Sequence, residues 1–119
     1  LFGLIRIATT PANLEESKRK LRELTATAPE FASAWASLGN LEFVTGNFDS
    51  AAEAYDHAVD ASPSSFEYRV ARMHAWIGAK KLDPVREELS SYGGSKQPAI
   101  HYLKGLLQMQ ERKYEDAQH

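Results

Sequence analysis

The four histidines of this chain, His57, His74, His101 and His119, are the side chains best suited to bind a metal or transfer a proton. None of them forms a ligand spacing such as H-x3-H on one helix, and no group of acidic residues joins them. Cysteine is absent, which excludes thiolate ligands, thiol catalysis and disulfide bonds. The sequence therefore predicts no metal site and no cofactor.

Three acidic pairs, Glu15-Glu16, Glu87-Glu88 and Glu115-Asp116, are the next residues that could do acid–base chemistry. Because the members of each pair are adjacent in sequence, a helix directs them to different sides, so we expect solvent-exposed faces. Gly93-Gly94-Ser95-Lys96 is similar to the end of a phosphate-binding loop. It lacks the first glycine at the required distance and follows a helical segment rather than a strand. We predict that the chain is not an enzyme.

The densest basic run, Lys18-Arg19-Lys20-Leu21-Arg22, could contact nucleic acid or an acidic partner. Neighbouring glutamates offset its charge, and Glu16 and Lys20 stand four residues apart, where they can pair on a helix. Aromatic residues do not alternate with the basic ones, as stacking on bases would require. The net charge of −2 argues against general binding of polyanions. We therefore expect a solvent-exposed face and no nucleic-acid partner.

The composition is typical of a folded, water-soluble domain, with 119 residues of which 43% are hydrophobic and 25% are charged. No apolar run approaches the roughly 20 residues of a membrane span, so we expect no membrane insertion. The opening LFGLIRIA has no preceding basic region and no initiator Met, and we interpret the chain as part of a longer protein. A cytoplasmic location is favoured, with a periplasmic location as the alternative.

Turn residues divide the chain into short helical segments that would position any site. Apolar residues recur at helical spacing between these breaks, of which Gly46-Asn47 and Pro63 are the clearest. We expect Asn13 and Asp83 to cap helices, because a short polar side chain can accept a free backbone N–H. The sequence predicts about seven helices, which cover residues 1–8, 14–27, two segments within 32–65, 66–80, 84–92 and 98 onward.

The stretch from Ala32 to Ser65 places small and aromatic residues at fixed positions on its two helices. These residues are Trp35, Leu38, Gly39, Ala51, Tyr55 and Pro63. Their order, W-x2-L-G, then A-x3-Y, then P, resembles one tetratricopeptide repeat, a helix–turn–helix unit of about 34 residues. Glu42 departs from the pattern, because the family has an aromatic residue there. The resemblance implies an all-α fold in which antiparallel helix pairs stack into a right-handed solenoid, with Gly39 and Ala51 allowing close helix approach.

Laid over the rest of the chain, this repeat predicts a single domain of four units. They are a partial repeat at 1–31, a strong repeat at 32–65, a degraded repeat at 66–97 and a truncated repeat at 98–119. Pro29 and Pro63 stand one period of 34 residues apart. The last unit is assigned because three residues recur after 66 positions: Gly105, Tyr114 and Ala117 follow Gly39, Phe48 and Ala51.

The unit at 66–97 departs most from the pattern. A strict register would place Arg69 and Arg72 at packing positions, where charged side chains are costly. We therefore expect either a rotated helix or a shifted loop before it. Towards the C-terminus, Leu106, Leu107 and Met109 are expected to form an exposed apolar face that invites another repeat or a second copy.

The resemblance implies a concave groove lined by the first helix of each repeat. Asn40 is the most informative of the groove residues, because its amide can hold a peptide backbone or bond a neighbouring helix. The family's carboxylate clamp for chaperone C-termini is not expected, since only Asn40 matches it. The groove positions correspond to Arg6, Ser33, Ala36, Asn40, Phe43, Val44, Val70, His74, Ile77, Tyr102, Leu106 and Met109.

The function that the resemblance implies is a non-catalytic scaffold that binds a protein or peptide segment in this groove. Two alternatives stay open. The chain could be a self-association module that forms homo-oligomers through its terminal repeats or its concave face. It could also be the substrate-positioning arm of a larger enzyme.

Overall fold

Six α-helices make up the part of the chain that the structure describes. The computed structural model describes residues 11–118, with side chains for 13–113. The helices are α1 (Pro11–Thr27), α2 (Ala32–Val44), α3 (Phe48–Ala61), α4 (Phe66–Gly78), α5 (Leu82–Ser90) and α6 (Pro98–Gln118). No strand occurs within residues 11–118. The prediction of an all-α fold is confirmed, and the helix expected at 1–8 lies outside the described residues.

The helices are stacked in a repeating arrangement. α1 packs on α2, α2 on α3, α3 on α4, and α4 on both α5 and α6. α2 and α4 begin 34 residues apart and each contains 13 residues. α1 and α3 end 34 residues apart, at Thr27 and Ala61. The described helices therefore stack as the pairs of a helical solenoid.

The turn after α2 recurs after α4 with the same backbone hydrogen bonds. In the first turn, the N–H of Asn47 donates to the carbonyl oxygen of Glu42 at 2.8 Å. In the second turn, the N–H of Lys81 donates to the carbonyl oxygen of Trp76, also five residues earlier, at 2.8 Å. Gly46 has a φ of 84°, and Lys80, one period later, has a φ of 64°. Lys80 thus adopts a left-handed conformation that glycine adopts more easily. The strict register is kept, and our expectation of a rotated helix or a shifted loop is wrong.

Arg69 occupies the packing position that the strict register assigns to it. Its guanidinium donates to the Pro63 carbonyl oxygen from Nε at 3.0 Å and from Nη2 at 2.8 Å. One period earlier, the indole of Trp35 donates to the Pro29 carbonyl oxygen at 2.9 Å. Arg69 therefore makes the same hydrogen bond as Trp35 but does not provide an aromatic ring for packing.

Arg72 also lies at its packing position, where two other helices supply its counter-charges. Its guanidinium bonds Asp56 of α3 at 2.6 Å and Glu88 of α5 at 3.0 Å, and it lies 4.7 Å from the ring centroid of Trp76. Because Glu88 is largely buried in this pair, the expectation that Glu87-Glu88 is a solvent-exposed acidic pair is wrong for Glu88. Pairing makes a buried arginine tolerable.

Buried apolar side chains form two clusters. The larger cluster joins α4, α5 and α6 through Met73, Ile77, Val85, Leu89, Ile100, Leu103 and Leu107. The smaller one joins α3 to α4 through Ala51, Ala52, Tyr55 and Ala75. Leu107 is buried and Leu106 packs against the larger cluster. The prediction that these two leucines form an exposed apolar face with Met109 is therefore wrong. Met109 alone of the three is exposed, at 54%.

Two helix starts differ from the sequence prediction. α1 (Pro11–Thr27) contains Asn13 within the helix, not at the position before it that the prediction assigned. α5 begins at Leu82 with Lys81 as its N-cap, which places Asp83 and Pro84 inside the helix. The first-turn N–H groups of a helix have no intrahelical acceptor, so a proline is tolerated there beyond the first position.

α6 is one continuous helix of 21 residues, from Pro98 to Gln118. The alignment of Tyr114 and Ala117 with a second helix is therefore wrong, because no turn separates them from Gly105. Arg112-Lys113 stands where the strong repeat has its Gly46-Asn47 turn, and these residues favour a helix. A Cβ atom on Gly105 would meet nothing within 4 Å.

Gly39, by contrast, marks the close approach of α2 to α3. A Cβ atom at Gly39 would lie 2.6 Å from Cε1 of Tyr55, far inside van der Waals contact. The Tyr55 ring is buried, and its hydroxyl donates to Oδ1 of Asn40 at 2.5 Å. The ring is thus held at both ends, and the predicted packing role of Gly39 is confirmed.

Substituting Gly39→Ala is expected to lower the free energy of unfolding by about 1–3 kcal/mol, because the methyl group must displace the Tyr55 ring. Gly105→Ala is the matched control, also a glycine inside a helix. It is expected to raise the stability by up to about 1 kcal/mol, because alanine is the better helix former. Urea denaturation measures both. Equal effects of the two substitutions would contradict the assignment of Gly39 as a close-packing residue.

A buried ion pair joins α1 to α2. Lys18 is 2% exposed, and its ammonium lies 2.8 Å from Glu42 and 2.8 Å from Oγ1 of Thr45. Arg22 and Asn47 donate to the same carboxylate at 3.3 Å each. Burial alone would raise the pKa of Glu42, but hydrogen bonds led by that from Lys18 hold the pKa below its usual value. The expectation that the basic run is wholly solvent-exposed is therefore wrong for Lys18.

Removing one member of this pair is expected to destabilise the fold strongly. Lys18→Met should lower the free energy of unfolding by about 3 kcal/mol, because it leaves the Glu42 carboxylate buried without its main partner. The double variant Lys18→Met/Glu42→Leu should recover most of that loss. Denaturant unfolding of the two singles and the double measures the coupling, and strictly additive losses would contradict a coupled pair.

Candidate functional site

Three aromatic rings form a continuous row across α2, α4 and α6. The ring centroid of Phe43 lies 4.7 Å from that of His74, and His74 lies 5.6 Å from Tyr102. Phe48 of α3 supports the row from behind, with its centroid 5.1 Å from that of Phe43. We call Phe43, His74 and Tyr102 the aromatic ladder. The structure thus brings together three sequence-predicted site residues that are far apart in the chain.

Helix periodicity explains why these side chains share one surface. Residues at i, i+4 and i+7 lie on one side of a helix, and the predicted residues follow this spacing on all three helices. The accessible surface around the rings is called the ladder face. Its residues are Ala36, Asn40, Phe43, Val70, His74, Tyr102, Leu106 and Met109.

The predicted site residues differ in how accessible the fold leaves them. Arg6 lies outside the described residues. Ile77 is 3% exposed and belongs to the larger core cluster, so its assignment to the groove is wrong; α5 and α6 cover it. Ser33, Asn40, Val44, Tyr102 and Met109 are exposed, and Ala36, Phe43, Val70, His74 and Leu106 are half-buried.

Asn40 is oriented by the helix behind it. The hydroxyl of Tyr55 donates to Oδ1 of Asn40 at 2.5 Å. Burial raises the pKa of Tyr55 to about 12, so the phenol stays protonated and remains a donor at neutral pH. Within residues 13–113 no acceptor is bonded to Nδ2, which keeps two donors. Asn40 therefore bonds a neighbouring helix through its oxygen and presents its nitrogen at an exposed position.

Tyr55 is the residue of this site that sequence reasoning missed. Its spacing indicated only that it fills the gap beside Gly39. The signal that could have revealed its second role is the hydroxyl itself, since phenylalanine would fill the same space without a donor. Gly39, Tyr55 and Asn40 thus form one unit, in which close packing and orientation of the amide depend on each other.

His74 lies half-buried between Phe43 and Tyr102, in the middle of the ladder. Burial lowers the pKa of His74 below its usual value, so the imidazole is neutral at neutral pH. A neutral imidazole has one N–H donor and one acceptor nitrogen. Neither nitrogen is hydrogen-bonded to another residue in the described range. His74 therefore carries a free donor and a free acceptor in an otherwise apolar surrounding.

Charged side chains are absent from the ladder-face residues, although α6 itself carries six charged residues, Lys104 and five from Glu111 onward. α1 carries seven acidic or basic residues, α3 carries four and α5 carries four. α2 and α4 together carry Glu42, Glu67, Arg69 and Arg72, of which all but Glu67 bond residues of other helices or turns. Glu67 lies one turn before Val70, at the edge of the ladder face. The centre of that face is therefore uncharged.

The described histidines are dispersed rather than clustered. His57 stacks on Trp35, with ring centroids 4.1 Å apart, and His74 lies in the ladder. Within the described range, no three His, Asp or Glu side chains come close enough together to hold a metal ion. No helix among those described has the length and apolarity to cross a membrane.

The structure is that of a helical-repeat protein, in which stacked helix pairs present an aromatic face without charged residues at its centre. A family model for the tetratricopeptide repeat matches residues 12–66, which cover α1 to α3 and the first residue of α4. Residues 12–66 therefore belong to the tetratricopeptide repeat family. Repeats of this family generally mediate protein–protein interactions and are generally non-catalytic. No curated protein and no solved structure matches the chain.

The lowered pKa of His74 predicts a loss of stability in mild acid. Because the folded-state pKa lies below the usual 6.5, the unfolded chain binds the proton first. Stability is then full above pH 6.5 and declines as the pH falls through the lower folded-state pKa. His74→Gln should remove this decline in stability. The separate loss of stability that protonation of Glu42 causes begins only below the usual pKa of that carboxyl group, 4.5. Urea denaturation between about pH 7.5 and 5 measures the slope, and an unchanged slope in His74→Gln would contradict it.

Proposed function

We propose that the ladder face binds a segment of another protein and that the chain acts as a non-catalytic scaffold. The observation that carries the proposal is the aromatic ladder, which joins three helices into one accessible surface. Three large apolar side chains of the predicted groove remain exposed: Val44 at 69%, Tyr102 at 55% and Met109 at 54%. Contiguous exposed apolar surface is typical of interaction sites.

The packing of the ladder favours binding without large rearrangement. Phe43 rests on Phe48, and Asn40 is fixed by Tyr55, so these groups already have defined positions. A preformed surface loses little conformational entropy when a partner is bound. We also propose that the chain is one domain of four units, in which α6 is the described part of the last unit.

The proposed binding differs from two other kinds, a carboxylate clamp and self-association. No lysine or arginine is among the ladder-face residues, so we do not propose a carboxylate clamp. Self-association through the same face is the competing function, because exposed apolar surface can also pair two copies. Light scattering across a concentration series separates the two, since a persistent monomer contradicts self-association.

Tyr102→Ala and Asn40→Ala test the surface directly. The probe is a phage-displayed library of random dodecapeptides selected on the wild-type chain, followed by fluorescence anisotropy with the enriched peptides. Each substitution should weaken binding by about 1 kcal/mol or more, because it removes a ring contact or a hydrogen-bond donor. Tyr102 is exposed, so Tyr102→Ala should change helicity and unfolding little. Asn40→Ala removes the acceptor of the buried Tyr55 hydroxyl and should also lower the free energy of unfolding by about 1 kcal/mol, so its affinity is measured where circular dichroism shows the variant to be folded.

Leu24→Ala on α1 is the matched control, since it shortens an exposed apolar side chain outside the ladder face. It should leave the affinity unchanged. Peptides that bind the wild type and both ladder-face variants equally well would contradict the proposal, as would a selection that enriches no peptide.

A further inference from the structure

We infer that the segment bound by the ladder face is an extended peptide whose central side chains are apolar and uncharged. This inference rests on the proposed function and adds the chemistry of the ligand. It is drawn from three features of the face: where charge is absent, which apolar groups are exposed, and which polar groups lack a partner.

The absence of charge limits the side chains that the face can accept. The ladder-face residues include no lysine, arginine, aspartate or glutamate, and Glu67 stands only at the edge of the face, whereas α1, α3 and α5 together carry fifteen such residues. A ligand carboxylate or ammonium would lose water against Phe43, Val70 or Leu106 without gaining a counter-charge. Burying an unpaired charge is strongly unfavourable, so the face discriminates against acidic and basic segments alike.

The exposed apolar groups indicate what the face accepts instead. Tyr102 and Met109 lie on one side of α6 at i and i+7, with half-buried Leu106 between them. Covering these side chains with apolar ligand groups removes hydrocarbon surface from water, which is the main favourable contribution to association. Apolar side chains of the ligand therefore fit between the ladder and the α6 residues.

The free polar groups favour an extended ligand over a helical one. Asn40 retains its Nδ2 donors, and His74 retains a donor and an acceptor, in the middle of the apolar surface. A helix has already paired its interior N–H and C=O groups, whereas an extended backbone offers unpaired ones at every residue. Contacts of Asn40 and His74 with that backbone satisfy these groups without selecting particular side chains.

The test uses the whole chain and the dodecapeptides enriched from the phage-displayed library. Enriched peptides should carry apolar residues at their centre and should lack Asp, Glu, Lys and Arg there. Replacing one central apolar residue of a synthetic peptide by Glu or by Lys should weaken binding at least about tenfold, because the charge finds no counter-charge. The same replacement at a peptide terminus should be tolerated.

A charge placed on the face should reverse the preference. Met109→Lys is suitable because the side chain is 54% exposed, so the fold should tolerate the change. This variant should bind the Glu-substituted peptide more tightly than the wild type does and the parent peptide more weakly. Leu24→Lys, an equivalent change outside the ladder face, should alter neither affinity.

Other outcomes overturn the inference in distinguishable ways. Charged peptides that need Tyr102 for binding would refute the ligand chemistry and leave the proposed function intact. Peptides that gain helical circular dichroism on binding would refute the extended conformation. If no peptide binds through this face, or if copies of the chain pair through it instead, both the inference and the proposed function fail.

Discussion

The contact between Gly39 and the Tyr55 ring is the constraint on which the other features of this protein depend. Without a side chain at Gly39, the ring lies against the α2 backbone and brings α2 and α3 together. The hydroxyl of the same ring holds the amide of Asn40 at 2.5 Å. One residue thus links helix packing to the orientation of a surface donor, so structural and binding roles cannot be separated at this point.

Ion pairs occur at positions where the repeat pattern predicts apolar contacts. Glu42 replaces an aromatic residue and is paired with Lys18 of α1, and Arg72 is paired with Glu88 of α5. Such pairs are weak contributors to stability compared with apolar packing, but they penalise any other register, because a shift would leave a charge buried alone. They also direct charged side chains away from the ladder face, which keeps that face neutral.

Sequence reasoning predicted features that depend on local pattern and missed those that depend on distant partners. Helix spacing, the Gly46 turn and the resemblance to one family repeat together predicted the strong repeat and the three ladder residues. Arg72 looked unfavourable because its counter-charges come from other helices, which no local pattern reveals. Tyr114 and Ala117 were aligned wrongly with a second helix because three residues recur after 66 positions, although nothing at Arg112-Lys113 forces a turn.

The central claim is that the uncharged face of α2, α4 and α6 binds an extended apolar segment through Asn40 and His74. Its most direct test is a titration of ¹⁵N-labelled chain with an enriched dodecapeptide, followed by NMR chemical shifts. The account predicts that the side-chain amide of Asn40, the imidazole of His74 and the backbone around Tyr102 shift together with one affinity. Shifts confined to α1, α3 and α5, with these three groups unperturbed, would contradict it.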